Sequence, residues 1–280
     1  MKNEVKFIEL DETVSTNTFL ATYQAAEPAA LTVVTADYQT AGRGQPGNSW
    51  ESERGKNLLF SILVQPASLP ASHVFALSEA IALSIREAIV SFLNLPSTKD
   101  ESLSPFEEIK KELPVTVKWP NDVYVGDSKI AGILIENTLR GDHVARSVIG
   151  CGVNVNQTEF HFPSLTPHPS TLNPQPSTPI PVSLRQLIGH DCDRRDILHH
   201  ILEAFRRRYD TLDPQPSAQR IHTDYLAALY CRTGLHPYRD AQKQFDAEIV
   251  DVEPSGHLVL REANGSIRRY AFKEIEYVRL

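Results

Sequence analysis

The spacing of hydrophobic and polar positions changes several times along the chain, and each change marks an element. Val5 to Leu10 alternates apolar and polar residues, the period of a half-buried strand. Ser15 or Thr16 can then cap a helix running to about Ala26, because a hydroxyl accepts a free N–H of the first turn. Leu31–Tyr38 and Leu58–Val64 are apolar and β-branched, which predicts strands. From Ala71 to Leu95 the apolar residues Phe75, Leu77, Ile81, Leu83, Ile85 and Ile89 recur at helical spacing, predicting one long amphipathic helix.

Pro96–Pro114 is polar and acidic and reads as a surface loop. Strands are predicted at Val115–Trp119, Ile130–Leu139 and Val144–Val155, with a hairpin-like segment at Asp122–Ser128. Phe160–Pro181 is proline-rich and aperiodic, a second loop. Ser183–Ile188, Arg194–Leu212 and Ala218–Leu229 have helical spacing. Past Gly234 the pattern becomes short alternating strands, at Phe245–Val252, Leu258–Arg261, Ser266–Phe272 and Ile275–Leu280. The switch at His236-Pro237 predicts two units, residues 1–235 and a small all-β module at 236–280. No internal repeat is visible.

Composition narrows the class. A hydrophobic share of 41% over 280 residues supports a packed core and excludes a disordered chain. The net charge of −7 argues against a general nucleic-acid binder, yet leaves room for a basic pocket. Cys151, Cys192 and Cys231 are odd in number and form no CxxC pair, which suits reduced thiols in the cytoplasm better than disulfides or zinc. Met1-Lys2-Asn3-Glu4 leads straight into a strand without a signal-peptide pattern, and no apolar run approaches the roughly 20 residues of a membrane helix. The expectation is a soluble cytoplasmic protein with no membrane partner.

Three clusters carry candidate chemistry. Gly42-x-Gly44-x-x-Gly47 formally matches a dinucleotide fingerprint, but that fingerprint needs a helix directly after the glycines to receive the pyrophosphate. Here Pro46, Asn48, Ser49 and Trp50 lead towards another strand, and no Gly-Lys-Ser/Thr loop exists. Two readings stay open: a flexible loop whose N–H groups and Arg43 meet an anion, or a plain surface hairpin. In the second cluster, Lys118 and Lys129 flank a turn carrying Asn121 and Asp122. Solvated lysines beside an ordinary Pro-Asn-Asp turn are the bland alternative, but donors this dense between buried strands favour an anion site. Asp122 there can hold magnesium or orient an amine. Third, Gly150-x-Gly152-x-Asn154 ends a strand with small residues, which permits close approach of a ligand or marks a bulge.

Other features read as structural. His199-His200 are adjacent on a helix and do not share a face, Arg206-Arg207-Arg208 reads as a solvated helix face, and Ser15 lacks a nucleophile elbow.

Taken in order, five stretches resemble the biotin protein ligase family from Thr13 to Leu280. They are Ser15-Thr16-Asn17; Tyr38-Gln39-Thr40-Ala41-Gly42-Arg43-Gly44 with Gly47-Asn48-Ser49-Trp50; Lys118-Trp119-Pro120-Asn121-Asp122; Lys129-Ile130-Ala131-Gly132-Ile133-Leu134-Ile135-Glu136; and Gly150-Cys151-Gly152-Val153-Asn154. The resemblance implies an α/β (α+β) fold, with a mixed sheet flanked by helices of the class II aminoacyl-tRNA synthetase and biotin ligase type and a C-terminal SH3-like barrel. It implies a two-step reaction in which biotin and ATP, with Mg2+, give biotinyl-5′-AMP, and a lysine of a biotin carboxyl carrier protein domain then takes the biotin.

The resemblance also assigns residues. Ser15, Thr16, Asn17, Gln39, Gly42, Arg43, Gly44, Lys129 and Gly132 would bind biotin, and Arg43, Gln45, Trp50, Lys118, Asn121 and Asn154 would bind ATP. Lys129 would bridge the biotin carboxylate and α-phosphate, Arg43 would neutralise phosphate charge, and Asp122 would orient the acceptor lysine.

Many relatives carry a second arginine where this chain has Gln45, and that arginine helps retain the adenylate. Faster adenylate leakage is the expected result here; Gln45→Arg should slow release, and equal rates would refute this. Relatives that double as repressors carry a winged-helix domain ahead of the catalytic one; the pattern here starts by Ser15, so the expectation is a ligase without a DNA partner. Members often form homodimers, and nothing in the sequence fixes the oligomeric state. Two rivals stay open: a lipoate- or octanoate-transferring enzyme of the same superfold, and a non-catalytic biotin sensor that would not need Lys129.

Overall fold

A computed structural model of the protein describes residues 5–24, 30–45, 47–66, 69–94, 113–160, 179–212 and 215–278. The loop readings of Pro96–Pro114 and Phe160–Pro181 fall mainly on 96–112 and 161–178, outside the described residues, as do Ala26, Pro46, Leu95 and Leu280.

Among the described residues, seven strands form a mixed sheet: β1 (Val5–Thr13), β2 (Leu31–Gln39), β3 (Leu58–Val64), β4 (Val115–Lys118), β5 (Asp122–Val125), β6 (Ser128–Arg140) and β7 (His143–Val153). Their order is β1-β2-β3-β7-β6-β5-β4, with β1 and β2 parallel and the other neighbours antiparallel. All seven residues of β3 are buried, as a continuous apolar run in mid-sheet requires. Helices are α1 (Thr16–Thr22), α2 (Phe75–Leu93), α3 (Leu184–Ile188), α4 (Arg194–Tyr209) and α5 (Gln215–Ala227). A second sheet follows, β8 (His236–Asp240), β9 (Gln244–Val252), β10 (Leu258–Glu262), β11 (Ile267–Tyr270) and β12 (Ile275–Tyr277), ordered β11-β10-β9-β8-β12 and antiparallel throughout.

Several expectations need correction. The helix after Ser15 ends at Thr22, and the Ser15 side chain makes no cap bond. Gln39 replaces it: its Oε1 accepts from the Thr16 N–H at 2.8 Å, satisfying the first helical donor from a neighbouring strand. The long helix does not start at Ala71. Ala71–His73 is a 3-10 turn, because Ala71 N–H is held by the Asp142 carbonyl and Val144 N–H by that of Leu69.

Nor is α2 simply amphipathic. Leu77, Ile81, Ile85 and Ile89 are fully buried, and so are Ala80 and Ala82 on its other sides, because the sheet covers one flank and α4 and α5 the other. Each such large side chain contributes about 1.5–3 kcal/mol. Strand β8 was not expected at all, since Pro237 weakens a strand pattern; it stands opposite Asp246, and its carbonyl accepts from Val278 N–H. The three arginines stay at least partly exposed but are each tied to a carboxylate. Arg207 and Arg208 both pair with Glu87 of α2, and Arg206 with Asp210.

Helices α2 and α5 meet the second sheet around a charged cluster. His222 of α5 shares one ring nitrogen with buried Glu79 of α2 at 2.7 Å and the other with Asp251 of β9 at 2.9 Å. The bond to Glu79 outweighs burial and raises the imidazole pKa from 6.5 to about 9. Burial in turn raises Glu79. The folded protein therefore keeps the His222 proton through a range where the unfolded chain has lost it. The stabilisation is complete below about pH 6.5 and is lost as pH rises through about 9. Thermal stability should fall by roughly 1–3 kcal/mol across that interval in the wild type and stay flat in His222→Gln. A flat wild-type profile would contradict this.

Among the described residues no helix is long and apolar enough to cross a membrane.

Candidate functional site

The register of the main sheet builds the site from one cross-strand row. Lys118 of β4 stands opposite Asp122 of β5, Asp122 opposite Gly132 of β6, and Gly132 opposite Gly152 of β7. The turn at Trp119-Pro120-Asn121 sets that register, and the Trp119–Pro120 peptide is cis. The next row on the same face pairs Leu134 with Gly150 and Gly150 with Ser61 of β3. Two glycines in β7 and one in β6 thus leave a floor without side chains.

Other residues fill the space above that floor. A Cβ at Gly150 would lie 2.1 Å from Asn17 Oδ1, and one at Gly152 would lie 2.3 Å from the Trp50 ring. A Cβ at Gly132 would sit 3.0 Å from Trp50 and 3.2 Å from Lys129 Nζ. The glycines of β7 therefore admit Asn17 and Trp50, and register through 150–153 is continuous, so there is no bulge there. The Trp50 indole N–H is buried without a hydrogen-bond partner, a donor held ready beside this floor.

The glycine loop is a hairpin. Arg43 and Ser49 bridge antiparallel, Trp50 N–H donates to the Gly42 carbonyl at 3.0 Å, and Gly44 N–H to that of Asn48 at 3.1 Å. Those N–H groups are engaged within the hairpin rather than presented to an anion. Gly42 is required because a Cβ there would lie 2.2 Å from the Trp50 carbonyl oxygen.

A cavity of about 610 Å³ opens over this floor. At one end Ser15, Thr16 and Asn17 are buried beside Gln39. Gln39 Oε1 accepts from Thr16 Oγ1 at 3.0 Å, and Ser61 Oγ lies 2.7 Å from Thr16 Oγ1 and 2.6 Å from Asn17 Oδ1. Asn17 Nδ2 donates to Glu136 at 2.9 Å and to the Leu134 carbonyl at 3.2 Å.

At the other end sit the charges. Lys129 Nζ lies 2.8 Å from Asp122 Oδ1, each side chain 23% exposed, whereas Arg43 pairs at 2.8 Å with Glu136, the carboxylate that Asn17 also meets, and so joins the two ends. Gly44 and Gln45 line the same cavity from the hairpin side. Asn121 also lines it, but its amide donates to the Ile133 carbonyl, and its own carbonyl accepts from Ile133 N–H.

Gly42 and Asn154 do not line the cavity. Asn154 is buried, its side-chain amide near the Lys129 carbonyl at 3.5 Å and its backbone N–H on that of Ile130. Conversely, Ser61 and Glu136 belong to the network although neither was singled out. Glu136 was legible, since Gly132, Leu134 and Glu136 alternate onto one face of β6. The second sheet adds a wall with Arg239, Lys273 and Tyr277, which no local pattern announces.

Cys151, between the two glycines of β7, is buried, and burial raises its thiol pKa far above the usual range; Cys192 is pushed up to about 11 by burial and Asp191. Neither is prepared as a thiolate nucleophile. No group of three metal-ligating side chains occurs among the described residues, and His199 and His200 instead pack against Phe7 and Phe92.

Comparison with known proteins fits this geometry. The bifunctional ligase/repressor BirA of Bacillus spizizenii is 30% identical over 178 residues, 64% of this chain and 46% of that protein. The biotin–[acetyl-CoA-carboxylase] ligase of Paracoccus denitrificans is 29% identical over 182 residues, 64% of this chain and 63% of that one. The chain thus spans roughly half to under two thirds of these curated relatives. The structure of the Aquifex aeolicus biotin protein ligase in complex with biotin and ATP superposes with a TM-score of 0.69 at 24% identity, covering 98% of this chain and 99% of that one. The model of the biotin/lipoate A/B protein ligase family matches residues 10–154, just over half of the 280, across the whole floor and both of its glycine rows. This protein belongs to the biotin/lipoate A/B protein ligase family.

Proposed function

We propose that the protein is an ATP-dependent biotin protein ligase. A biotin carboxylate oxygen attacks the α-phosphorus of ATP, the bond to the bridging oxygen breaks, and pyrophosphate leaves. The amine of a carrier lysine then attacks the acyl carbon of biotinyl-5′-AMP, expelling AMP and losing a proton. In-line displacement of this kind needs positioning and charge neutralisation more than covalent help. Lys129 would bridge the carboxylate and the α-phosphate, Arg43 and Lys118 would supply further positive charge, and Asp122 would orient the incoming lysine. Trp50 would cover the adenine side. Magnesium travels with the ATP phosphates, consistent with a site holding a carboxylate or two rather than a protein cage.

The observation that carries the reading is the polarity of the cavity's two ends. Ser15, Thr16 and Asn17 are each at most 4% exposed, and together with Gln39 they offer donors and acceptors to a bicyclic urea. A site built to hydrogen-bond its substrate rejects an analogue that cannot reciprocate. Lipoate and octanoate have no urea, so the pocket favours biotin, and the protonated Cys151 disfavours thiol-based octanoyl transfer.

The acceptor is then the lysine of a biotin carboxyl carrier protein domain, in the cytoplasm. Residues 236–280 form the SH3-like module and 1–235 the catalytic unit. The acidic net charge supports no DNA partner, and sedimentation would decide between monomer and homodimer.

The test is ATP–pyrophosphate exchange with biotin, lipoate or octanoate as the acid. Exchange with biotin alone is the expected result. Exchange with another acid would keep the mechanism and overturn the substrate; biotin binding without exchange would make the protein a sensor.

A further inference from the structure

Glu136 follows Gly132 and Leu134 along one face of β6, and its carboxylate meets two separate parts of the site. Its Oε2 accepts from the Asn17 amide at 2.9 Å and from Arg43 Nη1 at 3.1 Å, while its Oε1 takes Arg43 Nη2 at 2.8 Å. One side chain thus joins helix α1 to the glycine hairpin. An exposed ion pair by itself contributes little, and Glu136 and Arg43 are 36% and 47% exposed. This pair differs in its double bond to the guanidinium fork, and in an oxygen shared with an asparagine only 3% exposed.

The Asn17 amide is fixed on every side. Its Oδ1 lies 2.6 Å from the Ser61 hydroxyl, and its Nδ2 donates to the Leu134 carbonyl at 3.2 Å as well as to Glu136. A Cβ at Gly150 would lie 2.1 Å from that Oδ1, so the amide rests directly on the floor. Flipping it would set its oxygen against the Glu136 carboxylate and the Leu134 carbonyl, acceptor against acceptor. Arg43 is held in another way. Its backbone bridges to Ser49 across the hairpin, and Glu136 fixes the direction of the guanidinium. The fork engages two of the five N–H groups a guanidinium carries, so Arg43 can hold Glu136 and still meet an anion.

We propose that Glu136 is a positioning residue for the adenylation step, presenting the Asn17 amide and the Arg43 guanidinium to one biotin molecule as a single preorganised unit. The role rests on the function proposed above; the junction of Asn17, Glu136 and Arg43 rests on the geometry alone. Glu136 acts through its two partners, and they can be separated. Removing its charge while keeping an acceptor oxygen should release Arg43 and leave Asn17 in place. Removing the side chain should release both.

The test compares the full chain with Glu136→Gln and Glu136→Ala by three readouts. Tryptic cleavage of the Arg43–Gly44 bond, followed by mass spectrometry, reports on the hairpin. Calorimetry gives biotin affinity, and ATP–pyrophosphate exchange at saturating biotin and ATP gives kcat. In Glu136→Gln the bond should be cut about fivefold faster and kcat should fall about tenfold, with biotin affinity within about twofold of wild type, because the new amide oxygen still accepts from Asn17. In Glu136→Ala biotin should weaken about tenfold as well. On an Arg43→Met background Glu136→Gln should cost no further exchange, as a residue acting through Arg43 requires. Glu136→Gln keeps the shape of a partly exposed side chain, and it carries the test if Glu136→Ala does not fold.

Unchanged cleavage in Glu136→Gln, a kcat that stays level or rises, equal biotin affinities in the two variants, or an additive loss on the Arg43→Met background would each overturn the proposal. A rising kcat would mean that Glu136 only offsets the charge of Arg43. Absence of biotin binding in the wild type would overturn the ligase reading instead, leaving cleavage at Arg43 to judge the junction.

Discussion

Lys129→Ala should reduce biotin-dependent ATP–pyrophosphate exchange by about 10²–10³-fold, the loss of roughly 3–4 kcal/mol of transition-state stabilisation from one preorganised donor. The position is fixed by backbone on both sides: Lys129 N–H donates to the Ile180 carbonyl at 2.8 Å and its own carbonyl accepts from Val182 N–H at 2.9 Å. The side chain then crosses above Gly132 to Asp122, with the Trp50 ring 5.8 Å away. Biotin binding should stay within about tenfold, because the polar end of the cavity is untouched. Lys129→Arg should recover only part of the rate, since a planar fork cannot occupy the place of a compact ammonium between Asp122 and Gly132.

Asp122→Asn separates the partners. It leaves the lysine charge in place, so exchange should fall far less than in Lys129→Ala while transfer to the carrier lysine is lost. Exchange within tenfold of wild type in Lys129→Ala would remove Lys129 from the chemistry.

What could be read from the chain beforehand follows from which forces are local. Strand β3 and the core positions of α2 were legible because burial on nearly every side leaves a dense apolar run. The 3-10 start at Ala71 was not, because Asp142 and Leu69 impose it from other segments. Neither was β8, where Pro237 hides a strand whose bonding comes from β9 and β12.

The site shows the same division. Lys118, Asp122, Gly132 and Gly152 could be singled out one by one, but their alignment in a single row depends on four strands coming into register. The reason for the glycines was only half visible, for a related cause. Small residues in a strand announce a close approach, and only the fold shows that Asn17 and Trp50 approach first. Glu136 was available through strand alternation and was passed over, whereas the rings of Tyr124, Tyr230 and Tyr277 beside Lys118 come from separate elements and no spacing joins them.

Gly152→Ala should therefore behave as a lesion of Trp50. The added methyl would lie 2.3 Å from the indole Cε2 and 2.7 Å from Nε1, distances no relaxed contact allows. The floor cannot yield, because Gly152 is hydrogen-bonded in register between β3 and β6. The ring must give way, and its backbone is tied to the Gly42 carbonyl, so the indole swings out of the cavity. Apparent KM for ATP should rise at least about tenfold, with a stability cost of about 1–3 kcal/mol if the ring is only partly displaced.

Trp50 and Trp119 are the two tryptophans of the chain, and Trp119 is anchored by its indole N–H to the Gly256 carbonyl at 3.0 Å. A red-shifted, more quenchable emission in Gly152→Ala thus reports on Trp50. A double-mutant cycle isolates the clash: on a Trp50→Ala background the same alanine should cost little stability, because its neighbour is gone. Equal costs on both backgrounds, or an unaltered ATP KM in Gly152→Ala, would mean that the bare floor of β7 serves something other than closure of Trp50 over the nucleotide.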